Sequence, residues 1–239
     1  MGVATRAQRG TIQAPGTRPL LSIVTDRCHV EAVPPSAPAH IRLARLADAP
    51  ALADIYRPAV VGSATSFELD PPDAAEMERR VGRILERTPW LVCEVDGVVA
   101  GYAYAGAHRE RAAYRWSVDV AVYVRPGARR GGVGHALYTS LLAAVERQGF
   151  RNAYAGITLP NAASIGLHTA MGFTPVGVYR GVGYKLGAWH DVAWLARSLA
   201  PHDPVPDEPL LLPVIAESPT FRAALTLGES VLRGRHAPA

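Results

Sequence analysis

A glycine-rich segment, Arg129-Arg130-Gly131-Gly132-Val133-Gly134, lies between an apolar run typical of a strand (Trp116 to Val124) and one typical of a helix (His135 to Gln148). Glycines let the backbone approach a ligand closely, and the first amides of a helix have no partner within the helix. The helix dipole adds positive potential at the same point. The segment therefore predicts a strand, turn and helix that together bind a phosphate or pyrophosphate.

Two widespread phosphate-binding loops do not fit this segment. A Walker loop would end in Gly-Lys-Ser/Thr, and a Rossmann fingerprint would need a third glycine where Leu137 stands. Neither ATP nor NAD is therefore favoured. The pattern Arg-x-x-Gly-x-Gly after an alternating strand resembles instead the acyl-CoA pyrophosphate loop of the GNAT N-acetyltransferases. A glycine-rich turn with solvated arginines is the alternative interpretation of the loop alone.

Length and composition set the frame for this unit. With 239 residues, 49% of them hydrophobic and 19% charged, the chain can bury one core with extensions. The net charge of +4 comes from dispersed arginines, which favours local anion sites over a nucleic-acid interface. No apolar run approaches the ~20 residues that span a membrane. Cys28 and Cys93 show neither metal-ligand nor disulfide spacing, so we expect no metal and a cytoplasmic setting.

Periodicity and turn residues predict an α/β (α+β) fold, in which a mixed, mostly antiparallel sheet carries helices on both faces. Asp96-Gly97 predicts a tight hairpin. The predicted strands are Ile41–Ala44, Leu91–Val95, Val98–Ala105, Trp116–Val124, Ala153–Ile157, Pro175–Tyr179 and Trp189–Leu195, and the predicted helices are Asp48 (N-cap) to Val61, Asp73–Arg87 with Pro71-Pro72 at its start, His135–Gln148, and Asn161 (N-cap) to Gly172.

The composition at both ends differs from that of the centre. Residues 1–39 are predicted to form a disordered extension, and residues 40–200 to form one domain. Residues 201–239 form a proline-rich extension, which includes an amphipathic piece at 221–232 that either docks on a neighbour or stays loose.

A second motif, Asn161-x-x-Ser164-x-x-x-His168-x-x-x-Gly172-Phe173, resembles the Asn-x-x-Ala-x-x-x-Tyr-x-x-x-Gly-Phe of GNAT enzymes in order and spacing. Spacings of three and four place Asn161, Ser164 and His168 on one helix face, so they can address a single ligand. By itself, His168 would be interpreted as a core or surface histidine. Beside an acyl-CoA loop, a role in proton transfer is the better hypothesis.

Residues from about Ile41 to Arg197 resemble more specifically the phosphinothricin N-acetyltransferases and the related arsinothricin-resistance enzymes. The matching segments include Thr65-Ser66-Phe67, Pro89-Trp90-Leu91-Val92, Ala113-Tyr114-Arg115-Trp116, Leu159-Pro160-Asn161 and Gly187-Ala188-Trp189-His190-Asp191-Val192. The resemblance implies a GNAT fold, acetyl-CoA as donor and commonly a homodimer. It also implies an acceptor that is a small amino acid with a phosphinate, arsonate or sulfone-like group.

The same resemblance implies positions for both substrates. The acetyl group and pantetheine arm would follow the backbone of Val122, Tyr123 and Val124. The pyrophosphate would bind the loop and helix start, and Asn161 and Ser164 would contact the pantetheine arm. The predicted loop residues are Arg129, Arg130, Gly131, Gly132, Val133, Gly134 and His135. The predicted acceptor pocket contains Phe67, Tyr104, Arg109, Arg111 and Tyr114.

Two residues are the candidates for proton transfer. An α-ammonium group must lose a proton before it attacks a thioester, and Asp119 is the candidate base. The related enzymes typically carry glutamate here, so this carboxylate is withdrawn by about 1.5 Å, a distance that one water can bridge. An ion pair with Arg111 or Arg115 is the structural alternative. His168 replaces the tyrosine that protonates the CoA sulfur in many GNAT enzymes, and imidazole titrates near neutral pH.

Three other functions are compatible with parts of the sequence. A GNAT enzyme could act on another small amine or on a protein N-terminus, and the shortened acid at Asp119 would suit a non-catalytic CoA-binding module. Nucleic-acid binding has little support, because no aromatic residues alternate with basic ones to form stacking platforms.

Overall fold

The computed structural model describes residues 39–233. The disorder predicted for the N-terminal extension therefore concerns residues outside the described part, except for Ala39. The strands are β1 (His40–Leu43), β2 (Trp90–Val95), β3 (Val98–Ala107), β4 (Ser117–Val124), β5 (Asn152–Thr158), β6 (Thr174–Lys185) and β7 (Ala188–Ser198). The helices are α1 (Ala49–Val61), α2 (Ala74–Leu85), α3 (Val133–Gln148), α4 (Ala162–Ala170), α5 (Leu212–Ile215), α6 (Pro219–Thr226) and α7 (Glu229–Arg233).

The seven strands form one mixed sheet in the order β1-β2-β3-β4-β5-β7-β6. Only β4 and β5 run parallel, and every other neighbouring pair is antiparallel. The predicted mixed, mostly antiparallel sheet is therefore confirmed. No helix within residues 39–233 is long and apolar enough to cross a membrane.

Alternation along the strands builds a separate core on each face of the sheet. In β2, Leu91 and Cys93 join the core beneath α3, whereas Trp90 and Val92 join the core beneath α1 and α2. The same alternation in β4 turns Val118 and Val120 toward α3. Asp119, which lies between these two, therefore belongs to the opposite face.

Local signals explain most element boundaries. Asp73 caps α2, with its Oδ1 accepting the Glu76 amide at 2.7 Å, so α2 begins at Ala74 and the two prolines precede it instead of occupying its first turn. Asp48 precedes α1 but does not cap it, because its carboxylate binds Arg42 and the Arg45 amide. Positive φ angles at Asp96 and Gly97 form the predicted hairpin turn.

The β6–β7 hairpin is longer than the sequence predicts. β6 continues to Lys185, although its predicted end is Tyr179. An irregularity in the pairing between Tyr179 and Gly183 breaks the alternation of polar and apolar residues and hides the second half of the strand. Leu186 and Gly187, both with positive φ, then form a two-residue turn into β7.

The C-terminal extension packs onto α3. Phe221 of α6 is fully buried in the α3 core, and the Gly228 amide donates to Ser140 Oγ at 2.9 Å. The Gln148 side chain at the end of α3 donates to the Leu210 carbonyl at 2.7 Å, and Glu229 Oε1 accepts the Ile41 amide at 2.9 Å. Of the two outcomes considered for 221–232, the described helices take the docked one.

Candidate active site

Strands β4 and β5 separate soon after they meet. They pair only at Ser117–Asp119 with Asn152–Tyr154, while β4 continues to Val124 and β5 to Thr158. Among the described residues, the edge of Val120–Val124 that faces β5 has no strand partner. Its backbone amides and carbonyls therefore line an open wedge, where an extended ligand can take the place of a neighbouring strand.

The glycine-rich loop closes the wide end of this wedge. Gly132 is the N-cap of α3 in the left-handed conformation, with φ of +87°, and it offers no capping side chain. Because the Ala136 amide bonds the Gly132 carbonyl, the amides of Val133, Gly134 and His135 precede the first helical hydrogen bond. These three amides and the helix dipole favour an anion at this position.

The start of α3 is fixed by its neighbours. A Cβ on Gly134 would lie 3.3 Å from Leu167 Cδ2 of α4 and 3.7 Å from Val124 Cγ2 of β4. Arg129 and Arg130 are exposed, and Arg130 has a left-handed backbone, with φ of +65°. Arg129 Nε donates to the Val124 carbonyl at 3.4 Å, and both arginines add positive charge beside the helix start.

Helix α4 does not present Asn161, Ser164 and His168 together to one ligand. Asn161 Oδ1 accepts the Ser164 amide at 3.1 Å and so caps the helix. His168 is only 3% exposed and turns toward α3, where its Nε2 lies 2.9 Å from the Tyr138 hydroxyl.

The hydrogen bonds of His168 define its state. Nδ1 lies 2.8 Å from the Ser164 carbonyl, which can only accept, so Nδ1 carries the proton and Nε2 accepts from Tyr138. Burial lowers the pKa of His168, which favours this neutral form. Both nitrogens are thus engaged inside the α3–α4 contact, and this arrangement supports a structural role better than proton transfer in the wedge.

Asp119 lies at the last paired position of β4, where the wedge opens. Its Oδ1 is 2.6 Å from His108 Nδ1, and its side chain is 38% exposed against 12% for His108. Burial raises the pKa of Asp119, while the hydrogen bond from His108 and the charges of His108 and Arg109 partly oppose the rise. The arrangement gives a half-exposed carboxylate that is more basic than an ordinary aspartate, as a general base requires. The structure places no ion pair between Asp119 and Arg111 or Arg115 among its described contacts.

His108 is a site residue that the sequence did not reveal. It follows the last residue of β3, its amide donates to the Ser117 carbonyl at 3.4 Å, and it is therefore a diagonal neighbour of Asp119. Gly106, directly opposite Asp119, leaves the space between the strands open. Only the β3–β4 register shows this proximity, because no spacing motif links residues 108 and 119.

Aromatic rings surround the His108–Asp119 pair. The His108 ring stacks on Tyr154 of β5 at 4.3 Å between centroids and meets Tyr114 edge-on at 5.8 Å. The ring centroid of Trp194 in β7 lies 6.1 Å from that of His108. The Arg109 guanidinium carbon lies over the Trp194 ring, 5.5 Å from its centroid. Tyr154 and Trp194 are also residues that the sequence analysis missed.

The five predicted acceptor residues lie in three places. Arg109, Tyr114 and Tyr104 lie around the His108–Asp119 pair: Tyr104 is a diagonal neighbour of Asp119 on the same face, and burial raises its pKa to about 12. The ring of Phe67 lies 6.3 Å from that of His190 of β7 and against Gly183 of β6. Arg111 is exposed and lines a cavity of about 480 Å³ together with Arg109 and Tyr114.

Comparison with known proteins agrees with this geometry. The acetyltransferase (GNAT) domain profile matches residues 41–194. The chain belongs to the GNAT acetyltransferase family. A phosphinothricin N-acetyltransferase of Streptomyces viridochromogenes is 43% identical over 178 residues, which cover 74% of this chain and 97% of that protein. An L-methionine sulfoximine/L-methionine sulfone acetyltransferase of Salmonella typhimurium is 36% identical, covering 68% of this chain and 95% of the relative.

Solved structures extend the similarity to the bound donor. A GNAT phosphinothricin acetyltransferase from Sinorhizobium meliloti in complex with acetyl-CoA has a TM-score of 0.65 and 37% identity, covering 70% of this chain and 95% of that one. An acetyltransferase from Salmonella typhimurium with its cofactor acetyl-CoA has a TM-score of 0.67 and 35% identity, covering 71% and 98%.

The resemblance inferred from the motifs is therefore confirmed, and this GNAT protein is an acetyl-CoA-dependent N-acetyltransferase. Among the described residues, no group of three or more His, Cys, Asp or Glu side chains is arranged to hold a metal ion.

Proposed function

We propose that this enzyme transfers the acetyl group of acetyl-CoA to the α-amino group of phosphinothricin-like or arsinothricin-like amino acids, including methionine sulfone and sulfoximine. The observation that carries the proposal is the His108–Asp119 pair at the apex of the β4–β5 wedge, with Arg109 beside it. The pair supplies a base for an ammonium group, and the guanidinium supplies charge for an acidic acceptor. The names of the relatives point to the same acceptor class.

The donor is proposed to lie in the wedge. Its pantetheine arm would bond the free edge of Val122, Tyr123 and Val124, and its pyrophosphate would bind the amides that follow Arg130 up to His135. Arg129 and the loop glycines Gly131 and Gly132 would surround the phosphates, and Asn161 and Ser164 border the arm from α4. Two features support this placement. The extended backbone of β4 has an edge without a strand partner among the described residues, which suits the pantetheine arm, and the start of α3 has no capping side chain, which suits the pyrophosphate.

The reaction is proposed to be a direct attack in a ternary complex. Asp119 takes a proton from the acceptor ammonium, directly or through one water, and the freed amine forms a bond to the acetyl carbon. A strand amide near Val122 or Tyr123 stabilises the tetrahedral oxyanion. The attacking nitrogen then releases its second proton to water, the carbon–sulfur bond breaks, and CoA leaves as a thiolate, which takes a proton from solvent; Asp119 returns its proton to solvent before the next turnover. In this proposal His168 positions α4 against α3 and does not exchange protons with the substrates.

The acceptor's acidic groups are assigned to Arg109 and Arg111. Guanidinium groups bind carboxylate and phosphinate oxygens in pairs, and both arginines lie on the segment that follows β3. Phe67, Tyr104 and Tyr114 would enclose the aliphatic part of the acceptor. If Arg111→Ala loses turnover of acidic amino acids but keeps turnover of neutral amines, then Arg111 recognises the negative charge of the acceptor.

A thiol-release assay tests the proposed function. The purified enzyme with acetyl-CoA is incubated with phosphinothricin, arsinothricin, methionine sulfone, neutral amines and a peptide with a free N-terminus. CoA release with the first three acceptors is the expected result. Release only with neutral amines or the peptide would assign another acceptor class, and tight acetyl-CoA binding in calorimetry without any turnover would indicate a CoA-binding module.

We further propose that the enzyme is a homodimer formed through the β6–β7 hairpin. β6 is the last strand of the sheet, so its outer edge has no strand partner among the described residues. The hairpin exposes a group of large apolar side chains, of which Trp189 is 68% exposed. These residues are Val176, Val178, Tyr179, Val182, Tyr184, Leu186 and Trp189. Contiguous apolar surface on a long edge strand is typical of a protein interface.

A further inference from the structure

Lys185 is the only lysine among the 25 lysine and arginine residues of the chain. It ends β6 and is 5% exposed, whereas lysine is almost never so buried without partners. An enzyme that uses arginine at every other basic position thus keeps a lysine at one interior position. The local geometry provides a reason for that choice.

The Lys185 ammonium donates to three backbone carbonyls of another part of the chain. Nζ lies 2.6 Å from the Val60 oxygen, 2.6 Å from the Ser66 oxygen and 2.7 Å from the Glu68 oxygen. An ammonium group has three donors directed toward the corners of a tetrahedron, so all of them are used. A planar guanidinium directs its five donors in a fixed fork and cannot reproduce this arrangement.

These three carbonyls belong to the end of α1 and to the segment 62–70 that follows it. The segment is also held from α1 and α2, since the Tyr56 hydroxyl lies 2.6 Å from Ser66 Oγ and Arg80 makes two hydrogen bonds to Glu68. Lys185 adds the third attachment and the only one of these that comes from the β6–β7 hairpin. The segment is therefore fixed between the helices and the hairpin.

Phe67 stands at the centre of this attachment. Its ring lies against Gly183, where any Cβ would overlap the ring, and 6.3 Å from His190. His190 Nε2 is in turn 3.0 Å from the Lys185 carbonyl. Two of the residues that bond the Lys185 ammonium, Ser66 and Glu68, flank Phe67 in sequence, so the ammonium holds the backbone on both sides of this partly exposed ring.

We infer that Lys185 is a positioning residue for the acceptor: it holds the segment 62–70 so that the Phe67 ring forms one wall of the acceptor pocket. The inference rests on the proposed function, because Phe67 is assigned to that pocket there. It predicts that loss of the ammonium weakens the acceptor's productive binding and leaves the donor site intact. The donor wedge and the helix α3 start do not contact Lys185 in any hydrogen bond of the described residues.

Two variants test the inference from opposite sides. Lys185→Met removes the ammonium and keeps most of the chain length, while Gly183→Ala keeps the ammonium and displaces the Phe67 ring. Gly177→Ala is the matched control on the same strand, because a Cβ there meets nothing within 4 Å. Steady-state kinetics with phosphinothricin give KM and kcat for each variant, and calorimetry gives the acetyl-CoA Kd.

The expected result is a fall in kcat/KM for the acceptor of about ten- to a hundredfold in both variants, since a small misplacement of a positioning group has effects of this size. The fall should lie in KM for the acceptor, with the acetyl-CoA Kd unchanged, and the control should match the wild type. Normal acceptor KM values in both variants, in a wild type that turns over phosphinothricin, would overturn the inference and leave the proposed function intact.

A readout without an acceptor separates the two proposals further. Hydrogen exchange of the amides in 62–70 should be faster in Lys185→Met, while the amides of β2 and α3 keep wild-type protection. Unchanged exchange in 62–70 would overturn the inference even for a wild type without turnover. Absence of turnover in the wild type with every acceptor, accompanied by faster exchange in the variant, would refute the proposed function and retain Lys185 as the residue that holds this segment.

Discussion

Replacement of His108 tests whether Asp119 is the base whose pKa the site controls. His108→Phe keeps a ring that can stack on Tyr154 but removes the Nδ1–H that lies 2.6 Å from Asp119 Oδ1. The hydrogen bond and the charge of His108 lower the pKa of Asp119 against the effect of burial. In the variant, burial still raises the pKa of Asp119, and of these opposing effects only the charge of Arg109 remains. The carboxyl should therefore hold its proton to a higher pH.

The size of the shift follows from the hydrogen bond that is lost. A hydrogen bond to a charged group contributes about 1.5–3 kcal/mol when it is shielded from water. Asp119 keeps 38% of its side chain exposed, so solvent screening places the loss near the lower end of that range. A loss of about 1.4 kcal/mol corresponds to a rise of about one pKa unit.

The assay is the pH dependence of kcat for CoA release at saturating acetyl-CoA and acceptor. Only the carboxylate accepts a proton, so the acid limb of the profile should move up by about one unit in His108→Phe, with less effect on the plateau. His108→Asn, which can place an amide donor near Nδ1, should restore part of the shift. An unmoved acid limb in an active His108→Phe enzyme, or full activity in Asp119→Asn, would refute the assignment of Asp119 as base.

The same pKa carries a consequence for stability. Because burial holds the pKa of Asp119 above its unfolded value, the folded state retains the proton longer, and the free energy of unfolding falls as pH rises through this window. His108→Phe raises the folded-state pKa of Asp119 further above its unfolded-state value. Its Tm should therefore fall further below that of the wild type at pH values above the folded-state pKa than at pH values below the unfolded-state pKa. An equal deficit at both ends would mean that the lost packing, and not the charge, destabilises the variant.

Three further changes probe the donor site, the C-terminal helices and the proposed dimer. Gly132→Ala should weaken acetyl-CoA binding by roughly tenfold in calorimetry, because a left-handed backbone costs an L residue ~1–2 kcal/mol. The control Gly127→Ala should bind acetyl-CoA like the wild type, because a Cβ there meets nothing within 4 Å. Phe221→Ala should lower the free energy of unfolding by ~3–5 kcal/mol in urea without changing the acceptor KM, since the ring is fully buried in the core beneath α3 and is not among the residues assigned to the acceptor. Trp189→Glu should shift the mass measured by light scattering from dimer to monomer, and a wild-type monomer would contradict the proposed interface.

Local signals in the sequence predict well the strand, loop and helix to which donor binding is assigned. The glycine loop, the strand before it and the helix after it are contiguous, so the chain order alone brings them together. The Asp96-Gly97 turn and the cap at Asn161 are equally local. Each of these features depends on residues within a few positions of each other, which is the range that periodicity and turn chemistry describe.

The acceptor side depends on contacts between distant residues, and there the sequence is less informative. A helical spacing shows that His168 shares a face with Asn161, but not that the face meets Tyr138 of α3. His108 joins Asp119 through strand register, and Lys185 joins Ser66 across 119 positions. The predicted pocket residues came from resemblance, and the groups that hold them in place became visible only in three dimensions.

Strand register also determines how the proposed base, an aspartate one methylene shorter than glutamate, is placed at position 119. Asp119 is both the last residue of β4 that pairs with β5 and a residue whose side chain turns away from the α3 core. A slip of one residue would bury the carboxylate beneath α3 and turn Val118 or Val120 into the wedge. Seven consecutive pairs with β3 prevent that slip, from Gly101 with Val124 to Ala107 with Val118. The register therefore places the free backbone edge and the Asp119 carboxylate next to each other, and in the proposed mechanism one bridging water would make up for the missing methylene.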